Sequence, residues 1–220
     1  MLFRSAFTSI HSIKRFVFIL TLVPLIRLIV LGYLGQLSAN PVEFITRSTG
    51  TWTITFLCIT LAMSPMRWIT GWSGWIQMRR MLGLFTFFYA FLHFTIWYWL
   101  DHNLDFSEMM KDVIERPFIT MGFSAFVLMS FLAITSNQAA VRWLGRKWAK
   151  LHQMIYLIAI LAILHYFWHK AGKNDFQTVY IYAGIICLLL LIRIPATQRD
   201  RKSTRLNSSH SQQSRMPSSA

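Results

Sequence analysis

Residues 151–168 run for 18 positions without a formal charge, directly after the four cations Arg142, Arg146, Lys147 and Lys150. As a helix rising about 1.5 Å per residue this run covers roughly 27 Å, the thickness of a bilayer's hydrocarbon core. Comparable apolar runs occupy 16–34, 48–66, 81–100, 117–141 and 176–192. With 55% hydrophobic and 14% charged residues, the pattern predicts an all-α polytopic membrane protein, a six-transmembrane-helix bundle embedded in the lipid bilayer.

Lys and Arg number 22 against 8 Asp and Glu, a formal charge of +14. In a soluble chain that excess would suggest nucleic acid. Here most of the cations flank apolar runs, so the charge reads as topology and no nucleic-acid partner is expected. With the N-terminus in the cytoplasm, 16 of the 22 cations fall in inside segments, 5 fall outside and Arg27 lies within the first span. All acids but Asp200 fall outside. Both termini are therefore expected to be cytoplasmic. Arg27 reads as snorkelling toward the outer interface or as a partner for a buried anion. Residues 1–15 read as a cytoplasmic N-terminal segment, 16–194 as the transmembrane domain, and 195–220 as a disordered cytoplasmic tail. From Ser203 onward the tail has the look of a non-native appendage, and His210 in it carries no functional weight. Cys58 and Cys187 fall in separate apolar runs and imply neither a disulfide framework nor a metal pair.

Two loops stand out. Residues 67–80, rich in Trp and Gly, read as an interfacial loop whose Trp68, Trp72 and Trp75 suit the headgroup level. Residues 101–116 are acidic, with room for a short amphipathic helix, and form either a solvated connector or a docking rim for a soluble partner.

Polar groups in lipid are expensive, which makes the histidines informative. The third and fifth spans both run from inside to outside, so their basic flanks give a common origin of depth. His93 lies 13 residues beyond Arg80 and His165 lies 15 beyond Lys150, depths that agree to about 3 Å. His152 is two residues past Lys150, about 16 Å from the level of His93. His93 and His165 can thus share one iron, whereas His93 and His152 cannot. Two neutral imidazoles on facing helices suit the axial positions of haem b; zinc or copper would want further ligands, and no Cys, Asp or Glu lies at that depth. The alternative is that each histidine merely hydrogen-bonds across helices. His152 sits at the inner interface beside Arg79 and Arg80, which are either ordinary flanking cations or partners for a propionate, a flavin phosphate or a quinone carbonyl.

The segments RRMLGLFTFFYAFLH (79–93), ERPFITMG (115–122), TSNQAAVRWLGRKWAKLHQMIY (135–156) and LHYFW (164–168), with weaker echoes in STG (48–50) and Ser64-Pro65, resemble the MsrQ family. That family is the haem-binding membrane subunit of a bacterial periplasmic methionine sulfoxide reductase system and part of the ferric-reductase-like transmembrane superfamily. The resemblance implies an outer haem b on His93 and His165, and leaves a second haem at His152 open. It also implies FMN, and electrons taken from membrane quinol in the bacterial inner membrane. Their destination would be a periplasmic, molybdopterin-containing methionine sulfoxide reductase catalytic subunit that repairs oxidised proteins. The 25 residues after Pro195 are too few for a nucleotide-binding dehydrogenase domain, so electrons are expected from a membrane carrier or another protein. No site for sulfoxide chemistry is expected in the chain itself. A stand-alone ferric or cupric reductase and a non-redox membrane anchor are the competing expectations.

Overall fold

A computed structural model describes residues 2–172 and 174–193; the expectations for 195–220 lie outside the described residues. The described chain is helical throughout and holds no strand. Its helices are α1 (Leu2–Tyr33), α2 (Pro41–Thr70), α3 (Gly74–Ile96), α4 (Phe106–Glu115), α5 (Pro117–Ile134), α6 (Gln138–Leu144), α7 (Arg146–His152) and α8 (Ile155–Ala171), followed by α9 (Gln177–Arg193). A π-helical turn, Trp97–Asp101, ends α3.

Four stretches are long and apolar enough to cross a membrane: Ile10–Tyr33, Gly74–Asp101, Pro117–Ile134 and Arg146–Ala171. Two of the six expected spans differ from these. α9 has the apolarity but is short, and α2 has the length, 30 residues, but is rich in threonine. The hydroxyls of Thr49, Thr51, Thr53 and Thr55 donate to carbonyls one turn back on α2 itself, which removes most of their cost in an apolar setting. Burial explains the rest: α2 is the central helix, with Leu57 and Leu61 almost fully enclosed.

Three apolar clusters bind the bundle. Ile54, Leu57 and Leu61 of α2 pack on Ala159 of α8 and Ile186 of α9. Phe56 and Met63 of α2 pack on Leu82, Phe85 and Tyr89 of α3, with α1 against that seam. Ala90 of α3, Ala125 and Met129 of α5 and Ile158 of α8 form the third. Helices α2, α3, α5 and α8 thus surround a common interior. α1 and α9 lie outside it and turn Phe16, Ile19, Ile29, Tyr180 and Leu188 outward, as lipid-facing helices do. The two ends of the bundle differ in charge. Every acid among the described residues sits at the end where α2 and α5 begin and α3 and α8 finish.

The structure revises three sequence boundaries. The loop expected over 67–80 shrinks to 71–73, because α2 continues through Pro65 to Thr70 and α3 starts at Gly74. Proline lacks the N–H that would bond the carbonyl four residues back, Leu61 O, and the buried Arg193 guanidinium donates to that oxygen instead at 2.5 Å. Gly71, at φ 70°, then closes the helix. The fourth run, expected over 117–141, stops at Ile134. There the Thr135 and Ser136 hydroxyls bond back to Phe131 and Leu132 carbonyls, and the Asn137 side chain accepts from Ala140 N to start α6. α1 extends through the expected N-terminal segment 1–15 as continuous helix from Leu2. The acidic loop does contain its helix, α4, capped by Asp105 on Ser107 N and Glu108 N.

Candidate functional site

His93 of α3 and His165 of α8 face each other across the bundle interior, ring centroids 6.2 Å apart with planes at 74°. A metal–imidazole bond is about 2 Å long, so two rings bonded to opposite sides of one ion have centroids about 6 Å apart. Each ring is oriented through its Nδ1. His93 Nδ1 lies 2.9 Å from the Thr46 carbonyl oxygen, and His165 Nδ1 lies 2.7 Å from that of Phe118. A carbonyl only accepts, so both Nδ1 atoms carry the proton and both Nε2 atoms keep a free lone pair.

Each ring can reach its carbonyl because a glycine stands one turn further along the receiving helix. A Cβ on Gly50 would lie 3.1 Å from His93 Cε1, and one on Gly122 would lie 2.7 Å from His165 Nδ1. The two half-sites repeat in sequence: Thr46, Gly50 and His93 on one side, Phe118, Gly122 and His165 on the other, each pair offset by 72 residues. Around the histidines the offset aligns AFLHF (90–94) with AILHY (162–166). Two helical hairpins, α2–α3 and α5–α8, thus present the same carbonyl, glycine and imidazole to a shared centre.

That centre opens into a cavity of about 380 Å³ between the four helices. Beyond the histidines toward the bundle interior its walls are Ile54, Leu57, Ala90, Ala125 and Met129, with Phe94 stacked on Phe126 at 4.6 Å. Toward the acidic end the walls become charged: Arg47, Asp101, Arg116, His169 and Lys170. Among the described residues no group of three or more His, Cys, Asp or Glu converges as a protein-only metal site. Two opposed imidazoles in an apolar slot suit a metal whose other ligands come with it in a flat macrocycle, so the residues fit a haem.

Residues 49–163 match the family described as ferric reductase like transmembrane component. The chain is 54% identical to the protein-methionine-sulfoxide reductase heme-binding subunit MsrQ of Ralstonia nicotianae over 84% of its length and 86% of that protein's. It is 52% identical to the MsrQ of Herminiimonas arsenicoxydans, over 88% and 89%, and to that of Bordetella pertussis, over 90% and 96%. The chain belongs to the MsrQ family. No solved structure matches it.

The other sequence-selected residues lie at the opposite end of this MsrQ fold, away from the facing pair. His152 Nε2 is 3.3 Å from Thr135 Oγ1, and its ring stacks on Trp148 at 4.1 Å. Arg79 and Arg80 part company: Arg79 turns inward and donates to Ser64 Oγ at 3.4 Å, whereas Arg80 is exposed. The 72-residue offset relates His152 to Arg80, so the inner level does not repeat the two-imidazole pattern. Arg193, whose guanidinium also lies over the Tyr156 ring at 5.8 Å, joins Arg79 on the same turn of α2 through Leu61 and Ser64. Sequence reasoning missed Gly50, Gly122 and the repeat itself; a glycine 43 residues before each histidine, inside an apolar run, was the signal.

Proposed function

We propose that this MsrQ chain is a b-type cytochrome subunit that passes electrons across its bundle to a periplasmic protein-methionine-sulfoxide reductase. The observation that carries the reading is the facing His93–His165 pair, each ring fixed through Nδ1 to a backbone carbonyl. Through their Nε2 atoms His93 and His165 would hold one haem b, which would supply one-electron redox chemistry. The Nδ1–H bonds keep both rings in the ligating tautomer and raise their basicity, while Ile54, Leu57 and Met129 keep water from the centre. A haem with both axial positions filled by protein exchanges electrons and leaves no open coordination site for a substrate.

The chain spans the bacterial inner membrane six times, α2 and α9 completing the four strongly apolar stretches, with both termini in the cytoplasm. The concentration of acids at one end and of Arg67, Arg79, Arg142, Arg146, Lys147 and Lys150 at the other supports that orientation. It puts the histidine pair in the outer half of the membrane, beneath α4 and the acidic rim where a soluble, molybdopterin-containing catalytic subunit docks. Electrons enter from membrane quinol at the inner end, where Arg79 meets the quinone oxygens or the phosphate of an FMN; His152 is the residue a second haem would need there.

Stopped-flow mixing of dithionite-reduced, detergent-purified chain with the soluble reductase and methionine sulfoxide tests the conduit. Haem reoxidation that requires both reductase and substrate is expected. Reoxidation by chelated ferric iron alone, with no response to the reductase, would favour a stand-alone metal reductase.

A further inference from the structure

The cavity around the histidine pair is sharply divided. Its inward walls are uncharged and mostly hydrocarbon, the Thr53 hydroxyl being bonded back to the Thr49 carbonyl, and the charged wall residues come from the helix ends on the outward side of the imidazoles. A haem is divided in the same sense: one edge carries two propionate carboxylates and the opposite edge carries methyl and vinyl groups. We infer that Arg47 and Lys170 are the anchors of the propionate edge, so that the carboxylates point outward to the mouth beneath α4. The inference rests on the haem reading above and assigns the cations that reading does not use.

The mouth holds Arg47 from α2, Asp101 from the π turn, Arg116 from the start of α5, and His169 and Lys170 from the end of α8. Three of these cations have acid partners. Glu43 binds Arg47 at 2.7 Å, Asp112 binds Arg116 at 2.7 Å, and Asp175 binds Lys170 at 2.5 Å. None of the three acids lines the cavity, whereas all three cations do. Arg47 is the sharpest case. Its Nε is buried and meets no acceptor among the described residues, while its Nη2 is committed to Glu43. A guanidinium has five N–H groups in a planar fork, and a second carboxylate on the Nε side is the partner that geometry selects. Lys170 is mostly buried, with 14% of its side chain exposed, and Asp175 meets its ammonium at 2.5 Å; an ammonium has three N–H donors, so a carboxylate in the cavity would be a second acceptor for it. Arg116 is 60% exposed and its Nε is already paired with Asp112, so it has less need of a cavity anion. Asp101 also lines the mouth and opposes the scheme by one charge, so the assignment rests on the open Nε side of Arg47 and the burial of Lys170 and not on a net charge.

The test varies ligand and protein together. Apoprotein in detergent is titrated with protohaem and with protohaem dimethyl ester, whose carboxylates are capped and uncharged. Wild type, Arg47→Gln, Lys170→Gln and the double variant are compared, with Arg47→Lys to keep the charge and size-exclusion profiles to report folding. Wild type should bind the ester at least tenfold more weakly than the acid, and the double variant should bind both alike. Arg47→Lys should keep most of the preference. The low-spin bis-imidazole Soret band should persist in all of them, and the haem midpoint potential should fall when either cation is removed. An ester-to-acid ratio in the double variant equal to that of wild type, with all proteins monodisperse, would overturn the anchor assignment alone. Failure of wild type to give a low-spin spectrum with either haem would overturn the haem reading, and the anchors with it.

Discussion

At the scale of single residues, the site depends on two atoms that are missing. His93 and His165 lie against α2 and α5 only because Gly50 and Gly122 have no Cβ. In an ordinary helix, exchanging Gly for Ala gains up to about 1 kcal/mol. At Gly122 the added methyl would stand 2.7 Å from His165 Nδ1 and push the ring off the Phe118 carbonyl. Gly122→Ala should therefore weaken haem binding roughly 10- to 100-fold, the range for losing a group that orients a metal ligand. Gly50→Ala, with a looser 3.1 Å contact, should cost less. In a His165→Ala background the sign should reverse, and Gly122→Ala should raise the melting temperature of the apoprotein. Haem titration and thermal unfolding in detergent check both. A Gly122→Ala protein that binds haem as wild type does would remove the steric account. The histidines were legible from sequence because imidazole is conspicuous in a charge-free run and because depth can be counted in residues. The glycines were not, since what they make possible is a contact with a helix some 40 positions away in the chain.

At the scale of elements, a proline marks where one helix borrows a hydrogen bond from another. Pro65 frees the Leu61 carbonyl, and Arg193 from α9 takes it, so α9 is pinned to α2 by a backbone defect. The fully buried Tyr89 hydroxyl donates to the Thr21 carbonyl at 2.8 Å and ties α3 to α1, although the carbonyl that Pro24 leaves without an N–H is that of Leu20, one residue earlier. Removing one such donor costs about 1–3 kcal/mol when the acceptor stays buried. Arg193→Gln should lower stability by about that much in wild type and by clearly less in Pro65→Ala, where the helix satisfies Leu61 O itself. Equal losses in both backgrounds, measured by thermal shift, would show that Arg193 acts elsewhere. Tyr89→Phe should cost about 1 kcal/mol. These couplings also explain the misread boundaries. A Pro-Gly-Trp stretch signals a loop when read locally, and only a distant arginine lets α2 run through it. Thr135, Ser136 and Asn137 signalled the end of α5 in their own chemistry, but apolar flanks on both sides masked it.

At the scale of the whole molecule, two hairpins related by a 72-residue offset close on one centre, and the other helices wrap and orient them. The helical class and apolar runs were readable because bilayer thickness dictates length. The central position of α2 was not, since its threonines hide their polarity only in three dimensions. Charge asymmetry fixes the expected orientation. Cysteines introduced as Ser107→Cys on α4 and Ser73→Cys in the 71–73 turn should react with a membrane-impermeant maleimide from the outer and inner faces respectively, and labelling of both from one face would refute the topology. The most direct test of the central claim is haem per chain, with the optical spectrum, in His93→Ala, His165→Ala and His152→Ala purified alongside wild type. The account predicts that the first two each lose the same low-spin haem completely while His152→Ala retains it. A low-spin haem surviving in either of the first two, or vanishing only in His152→Ala, would contradict it.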